Sequence, residues 1–104
     1  MWIYSFIRTD LSIAQQIVQT AHSAYESGRG LGKHVPFPRM VLIAVSDGDA
    51  MKEALDYASG HLECYPFYES ELGLCNKLTS FTTRPVKYEE RGIFKHFKLW
   101  RQPK

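Results

Sequence analysis

The sequence predicts a single α/β domain in three layers, with helices on both faces of a mixed sheet of roughly four strands. Its 104 residues fit one domain of ordinary size. Two strongly apolar segments, residues 2–8 and 40–45, are each followed by a segment with helix-capping residues and helical periodicity. Strands that alternate with helices in this way are typical of parallel pairing through right-handed crossovers.

The first half of the chain supplies the first two strand–helix pairs. Residues 2–8 are rich in β-branched and aromatic side chains, which predicts a strand buried on both faces. Ser12 and Gln15 fit a capping box that begins a helix, and Gly28 would end it. We expect this first helix to bury an apolar stripe: Ile13, Ile17, Ala21 and Tyr25, with Ala14, Val18 and Ala24 beside it.

A second strand, residues 40–45, then leads into a helix that Asp47 caps and that ends near Ser59. Its inward residues would be small or apolar: Met51, Ala54, Leu55 and Ala58. Residues 62–70 contain Pro66, which cannot donate to a strand ladder, so they predict an edge strand or an irregular extended segment.

The last third of the chain reads as a strand, a short helix and a final strand. Residues 78–83 predict a strand with alternating faces, one carrying Ser80 and Thr82 and the other carrying Thr79 and Phe81. Residues 87–95 predict a short basic helix, and residues 96–100 a last strand.

Composition excludes several classes of protein. No apolar run approaches the ~18 residues that cross a bilayer, and the start lacks the basic region of a signal peptide, so we expect neither. The two cysteines, Cys64 and Cys75, match neither a disulfide framework nor a zinc-site spacing. They indicate reduced thiols in the cytoplasm, with no metal and no cofactor.

Charge is unevenly distributed along the chain. Residues 1–83 hold six basic and nine acidic residues, a net charge of −3, whereas residues 84–104 hold seven basic and two acidic residues, a net charge of +5. A basic terminal segment indicates either a polyanionic partner or merely a solvated surface.

Gln19 and His22 are the candidate site residues of the first helix. They lie three residues apart, so they share one helical face. A histidine among alanines in a helix is also common as a purely structural residue. No motif supplies a nucleophile, so any hydrolysis would use water and a general base, for which the ordinary imidazole pKa of ~6.5 is suitable.

Several segments of the chain resemble peptidyl-tRNA hydrolase 2, the archaeal and eukaryotic type. They are Arg8-Thr-Asp10 after the first strand, Gln19-Thr-Ala-His22-Ser-Ala in the first helix, the strand at residues 40–45, Glu71-Leu-Gly73, and Lys95-His-Phe-Lys-Leu-Trp100. The resemblance covers most of the chain in order and length. It implies an α/β domain with a four-stranded mixed sheet and hydrolysis of the ester that joins a peptide to the tRNA 3′ ribose.

The resemblance also implies site residues. His22 and Gln19 match directly, and Thr79 lies near a threonine of the family. The family's lysine falls on Gln15, which cannot supply a charge, and its aspartate falls on Glu71, whose carboxylate lies one methylene further out. These departures put the catalytic competence of the site in question, because displacements of ~1 Å can lower a rate about 100-fold.

Two functions follow. The first is an esterase that acts on peptidyl-tRNA or a related aminoacyl ester, with His22, Glu71 and Thr79 as catalytic residues. Its substrate would be held by polar and basic side chains: Arg8, Gln15, Gln19, Arg84, Lys87, Arg91 and Lys95. The second is a catalytically inactive module of the same fold that binds RNA or a protein. An exposed edge strand at residues 62–70 would also permit a homodimer.

Overall fold

Five strands form one mixed sheet in the order β3-β4-β1-β2-β5. A computed structural model describes residues 1–31, 38–70 and 77–101. The elements are β1 (Trp2–Arg8), α1 (Ile13–Leu31), β2 (Arg39–Val45), α2 (Gly48–Ser59), β3 (Cys64–Glu69), β4 (Lys77–Thr83), a 3₁₀ helix (Tyr88–Phe94) and β5 (Lys98–Leu99). This confirms the mixed α/β class and gives one strand more than the expected four, because β5 adds a two-residue pairing to the outer edge of β2.

The central strand β1 sets the directions of the others. β2 runs parallel to it, whereas β4 runs antiparallel to it and β3 antiparallel to β4. β1, β2 and β3 therefore point the same way, and their carboxyl ends meet at one edge of the sheet. The predicted edge position of the proline-containing strand is confirmed, because β3 forms one border of the sheet.

One face of the sheet carries the apolar core. Phe6 of β1 stacks on its cross-strand neighbour Phe81, with ring centroids 4.2 Å apart. Three predicted inward residues of α2 are buried in the same cluster: Met51, Ala54 and Ala58. The 3₁₀ helix closes this face, since Phe94 belongs to the cluster and stacks on Tyr4 with centroids 4.2 Å apart. The expected capping by Asp47 is also present, because its carboxylate accepts from the Ala50 amide at 2.8 Å.

The opposite face of the sheet is polar and carries α1. Ser5 and Thr82, which are paired across β1 and β4, form a hydroxyl–hydroxyl hydrogen bond of 2.6 Å. Ser23 of α1 lies 2.8 Å from the hydroxyls of both Thr82 and Ser80. Ser27 donates to the Thr83 carbonyl oxygen at 2.9 Å. The helix is therefore attached to the sheet through a layer of hydroxyl groups, which we call the hydroxyl layer.

The prediction that α1 turns its apolar stripe toward the sheet is wrong. Its buried side chains are polar, Gln16, Gln19, Ser23 and Ser27, whereas Ile13, Ile17, Val18 and Tyr25 are exposed. The spacing located the apolar stripe, but it did not show which stripe would meet the sheet. Because strand alternation brings Ser5, Ser80 and Thr82 to this face, the partners that the sheet offers are hydroxyls. The polar stripe of the helix supplies hydrogen-bond partners for these hydroxyls.

Other boundaries differ in smaller ways. α1 continues past Gly28 to Leu31. The predicted short basic helix is a 3₁₀ helix, and the predicted last strand is limited to Lys98–Leu99. Glu71, one of the predicted catalytic residues, lies outside the residues that the structure describes. Within those residues, no helix combines the length and apolar character needed to cross a membrane.

Candidate functional site

The carboxyl ends of the three parallel strands bring polar residues to one edge of the sheet. β1 ends at Arg8, β2 ends at Val45 and is followed by Asp47, and β3 ends at Glu69. The connections that follow β1 and β2 run to opposite faces of the sheet, through α1 and α2. Open α/β sheets bind ligands at such a topological switch point, where the connections after two adjacent strands leave toward opposite faces of the sheet. We refer to this edge as the carboxyl edge.

A buried hydrogen-bond chain joins α1 to the carboxyl edge. Gln19 is 1% exposed and donates through Nε2 to Oε2 of Glu69 at 2.9 Å. Its other amide atom, Oε1, accepts from the Thr79 hydroxyl at 2.8 Å. Thr79 also donates to the carbonyl oxygen of Phe67 at 3.4 Å. The amide of Gln19 therefore orients a threonine hydroxyl and a carboxylate at once, and we call these three residues the Gln19 network.

An irregularity in β4 makes this network possible. Phe67 pairs with Ser80, but the next residue, Tyr68, pairs with Leu78, so Thr79 is the extra residue of a β-bulge. A bulge breaks the alternation of faces. The expected opposition of Thr79 and Ser80 therefore does not hold, and both hydroxyls reach α1.

His22 lies beside the network and is open to solvent. Its imidazole ring stacks flat on Phe67, with centroids 4.4 Å apart and an angle of 5° between the planes. Phe67 and Glu69 lie two residues apart on the same face of β3, about 7 Å along the strand. Gln19 and His22 lie on adjacent turns of α1, about 4.5 Å apart along the helix axis. They contact Glu69 and Phe67 respectively, so the imidazole and the carboxylate border the same strip of β3.

Arg8 is positioned by local partners. Its guanidinium donates to both carboxylate oxygens of Asp10, at 3.0 and 2.7 Å, and to the Leu78 carbonyl oxygen at 3.2 Å. The hydrogen bond from Arg8 holds the pKa of Asp10 below its usual value. Arg8 thus clamps the turn after β1 to the start of β4, close to Thr79.

Two crevices open on the α2 side of the carboxyl edge. One, of about 640 Å³, is lined mainly by charged groups: Arg8, Asp10, Asp47, Asp49, Lys52, Asp56 and Lys77. The other, of about 850 Å³, has an apolar lining that includes Val45, Ala54 and Leu99, with His96, Lys98 and Arg101 around it. The second crevice depends on how β5 pairs with β2, which no pattern in the sequence indicates. Among the described residues, no three His, Cys, Asp or Glu side chains come together as a metal site.

The 3₁₀ helix of the basic C-terminal segment lies on the face that α2 covers, whereas Trp100 after β5 donates through Nε1 to Oε1 of Gln16 in α1 at 2.7 Å. Arg84 pairs with Glu90, with Nη2 and Oε2 2.6 Å apart. Arg91 donates to the Tyr4 hydroxyl at 2.7 Å, and its guanidinium carbon lies 4.4 Å from the centre of the Trp2 ring. Lys87 and Lys95 remain exposed.

The structure therefore brings together only some of the site residues that the sequence predicts. Gln19 and Thr79 are joined by a hydrogen bond, His22 lies one turn further along the same helix against Phe67, and Glu71 lies outside the described residues. Gln15 is half-buried one turn before Gln19. Glu69 was not singled out from the sequence, although its place at the end of the edge strand and the alternation of β3 would put it on the α1 face. The carboxylate that Gln19 contacts is thus supplied by β3 itself.

Comparisons with known proteins identify a solved structure with a similar fold, but its function is unknown. No family model matches the chain, and no curated protein matches it. Among solved structures, the chain is similar to Atu0240 of Agrobacterium tumefaciens strain C58, a protein of unknown function. The TM-score is 0.62 and the identity 16%, over 96% of this chain and 97% of that chain. At such low identity, the similarity shows that this arrangement of strands and helices exists in an experimental structure, and it shows the fold alone.

Proposed function

We propose that the protein hydrolyses an ester of the peptidyl-tRNA class at the α1 side of the carboxyl edge. The observation that carries this proposal is the Gln19 network, which ends in a buried, oriented carboxylate beside the exposed imidazole of His22. The resemblance of the Gln19–His22 segment to the peptidyl-tRNA hydrolase 2 family suggests the substrate. Exposed cations of the C-terminal segment, such as Lys87 and Lys95, support a polyanionic partner.

In this mechanism His22 acts as the general base. Its neutral ring nitrogen takes a proton from water while the water oxygen attacks the carbonyl carbon of the ester. The tetrahedral intermediate then collapses and expels the ribose 3′ oxygen, which receives the proton from the imidazolium. The products are a free carboxylic acid and the tRNA 3′ hydroxyl, and no covalent enzyme intermediate forms.

Glu69 and Phe67 would have supporting roles. The flat stack on Phe67 limits rotation of the imidazole and presents its ring edge to the substrate. The Glu69 carboxylate, oriented by Gln19, would stabilise the imidazolium that forms during the reaction, through the attraction of opposite charges across the ~7 Å that separate Phe67 from Glu69 along β3. Gln19 and Thr79 are then positioning residues, whose role is to fix the carboxylate.

The test is cleavage of labelled peptidyl-tRNA by the purified protein. His22→Ala should lower kcat/KM by about 10²–10⁴-fold, the range for loss of a general base. His61→Ala is the matched control, because His61 is also exposed and in ring contact, 4.8 Å from Tyr57 at the end of α2. It should leave the rate unchanged. Absence of turnover in the wild type, or full activity in His22→Ala, would contradict the proposal.

A non-catalytic module that binds RNA is the second candidate function. It is favoured by the position of Gln15, where the resemblance expects a lysine. Arg84 and Arg91 have internal partners, so the exposed lysines Lys87 and Lys95 would contact the RNA phosphates. This module would retain tRNA without cleaving it, and retention would weaken as salt rises, because phosphate contacts release counterions. Measuring tRNA retention and cleavage on the same samples at low and high salt separates the two functions.

A further inference from the structure

The outer face of α1 is apolar and uncharged. Ile13, Ile17, Val18 and Tyr25 are between 41% and 69% exposed, and the small residues Ala14 and Ala21 lie exposed among them. From Leu11 to Tyr25 the chain contains no Asp, Glu, Lys or Arg. A surface helix normally turns its charged residues outward and its apolar residues inward. This helix does the opposite, so its outer face has the character of a buried surface.

The same apolar surface continues onto the sheet. α1 packs over β3, β4 and β1. Trp100, whose amide donates to the Leu42 carbonyl oxygen at 2.9 Å, links β2 to α1 through a hydrogen bond of 2.7 Å from its Nε1 to Oε1 of Gln16. Strand pairing places Met40 opposite Ile3 and Leu42 opposite Ser5, so both β2 side chains point to the α1 side. Met40 is exposed and Leu42 half-exposed. The helix face and this strip of β2 together form one surface, which we call the α1 surface.

We propose that the α1 surface binds a second copy of this chain, with the two α1 helices antiparallel about a two-fold axis. A register with Val18 of one copy facing Ala21 of the other also places Ala14 opposite Tyr25. Large side chains then meet small ones on both sides of the axis, so the face is complementary to itself, as an isologous contact requires. This proposal does not depend on the proposed function.

Charge at the ends of the helix supports the same register. It brings Arg29, in the last turn of α1, to the level of Asp10 before the first turn of the other copy. Both side chains are exposed and already paired within one chain, Arg29 with Glu26 and Asp10 with Arg8, so a contact across the interface would extend these ion pairs. Antiparallel helices also place the positive end of one macrodipole beside the negative end of the other. An RNA partner fits this surface poorly, because it offers no cation along the four turns between Asp10 and Glu26.

The size of the surface predicts a reversible dimer. Standard interfaces bury ~800 Å² per partner, and one helix face with a strip of sheet is at or below that size. Sedimentation velocity should therefore detect a monomer–dimer equilibrium between about 1 and 500 μM, with a dissociation constant in the micromolar range.

Ile17→Lys tests the surface directly. Ile17 is well exposed, so the variant should keep the fold, as circular dichroism would check, and should weaken dimerisation at least tenfold. Tyr88→Lys is the control, because Tyr88 is an exposed aromatic residue on the 3₁₀ helix, away from α1. It should dimerise like the wild type.

Disulfide trapping tests the register. A chain carrying both Ala14→Cys and Tyr25→Cys should form covalent dimers under mild oxidation, whereas each single variant should form far fewer. The two positions lie three turns apart on one helix, about 16 Å, so they cannot bridge within one chain. A monomer at all concentrations overturns the proposal, as does a dimer that Ile17→Lys leaves intact. A dimer that forms but is trapped equally by both single variants overturns the antiparallel register.

Discussion

Replacing Gln19 with leucine should destabilise the protein by about 2–4 kcal/mol. The substitution keeps the side-chain volume and the helix propensity nearly constant, so the loss comes from hydrogen bonds. The bond to the Glu69 carboxylate, at 2.9 Å, involves a charged acceptor and contributes ~1.5–3 kcal/mol. The bond from Thr79, at 2.8 Å, is neutral and contributes ~1 kcal/mol, part of which survives through its second acceptor, the Phe67 carbonyl.

Urea denaturation followed by circular dichroism measures this change. With m of about 2 kcal/mol per molar, the middle of the usual range for urea, the midpoint should fall by roughly 1–2 M while m stays constant. Gln15→Leu is the matched control: it makes the same chemical change one turn earlier, at a half-exposed position, and should alter stability by less than ~0.5 kcal/mol. If Gln19→Leu loses less than ~1 kcal/mol, or no more than Gln15→Leu, the Gln19 network does not contribute as argued.

Three further predictions use calorimetry, NMR and chemical labelling. Gly28→Ala should stabilise α1 by ~0.5–1 kcal/mol, because the added Cβ meets open space. Gly30→Ala should not stabilise it, because the added Cβ would overlap an aromatic ring of β3. Thermal unfolding of the two variants makes the comparison. The guanidinium of Arg84 lowers the pKa of Glu90 from 4.5 to about 2. This exposed pair therefore adds up to ~1 kcal/mol to the free energy of unfolding above pH 4.5, and the contribution is lost as the pH falls toward 2. Arg84→Gln should return the carboxyl titration, followed by NMR, toward 4.5, and an unchanged titration would refute the pairing. Burial raises the pKa of Cys64 to about 11, so at pH 8 iodoacetamide should label this thiol only after unfolding, as peptide mapping would show.

The elements of the apolar side of the fold were predictable from the sequence. The buried strand at residues 2–8, the inward residues of α2 and the edge position of the proline-containing strand follow from local composition and periodicity. α1 was oriented wrongly because the direction of a helix depends on what the opposing sheet presents. Ser5, Ser80 and Thr82 are distant in sequence, and their common hydroxyl surface exists only once β1 and β4 pair.

The candidate site, like the fold, was predictable only in part from the sequence. Gln19 and His22 share a helix face, which sequence spacing reveals, and Thr79 was expected near them. Glu69 was missed because strand alternation becomes informative only when the pairing of β3 is known. The bulge that turns Thr79 toward α1 has no signal in a single sequence. Arg84 and Arg91 read as free cations in the sequence, whereas tertiary contacts with Glu90 and Tyr4 engage them.

The hydroxyl layer has a consequence for hydrogen exchange. Lifting α1 from the sheet would expose the serine, threonine and glutamine groups of this layer, which water can solvate, together with the apolar surface of Ile7, Tyr65 and Phe67. Such an opening should depend on denaturant less strongly than global unfolding does, because that dependence scales with the surface exposed. We therefore expect α1 to act as its own cooperative unit of exchange, opening at a lower free energy than the core strands β1 and β4.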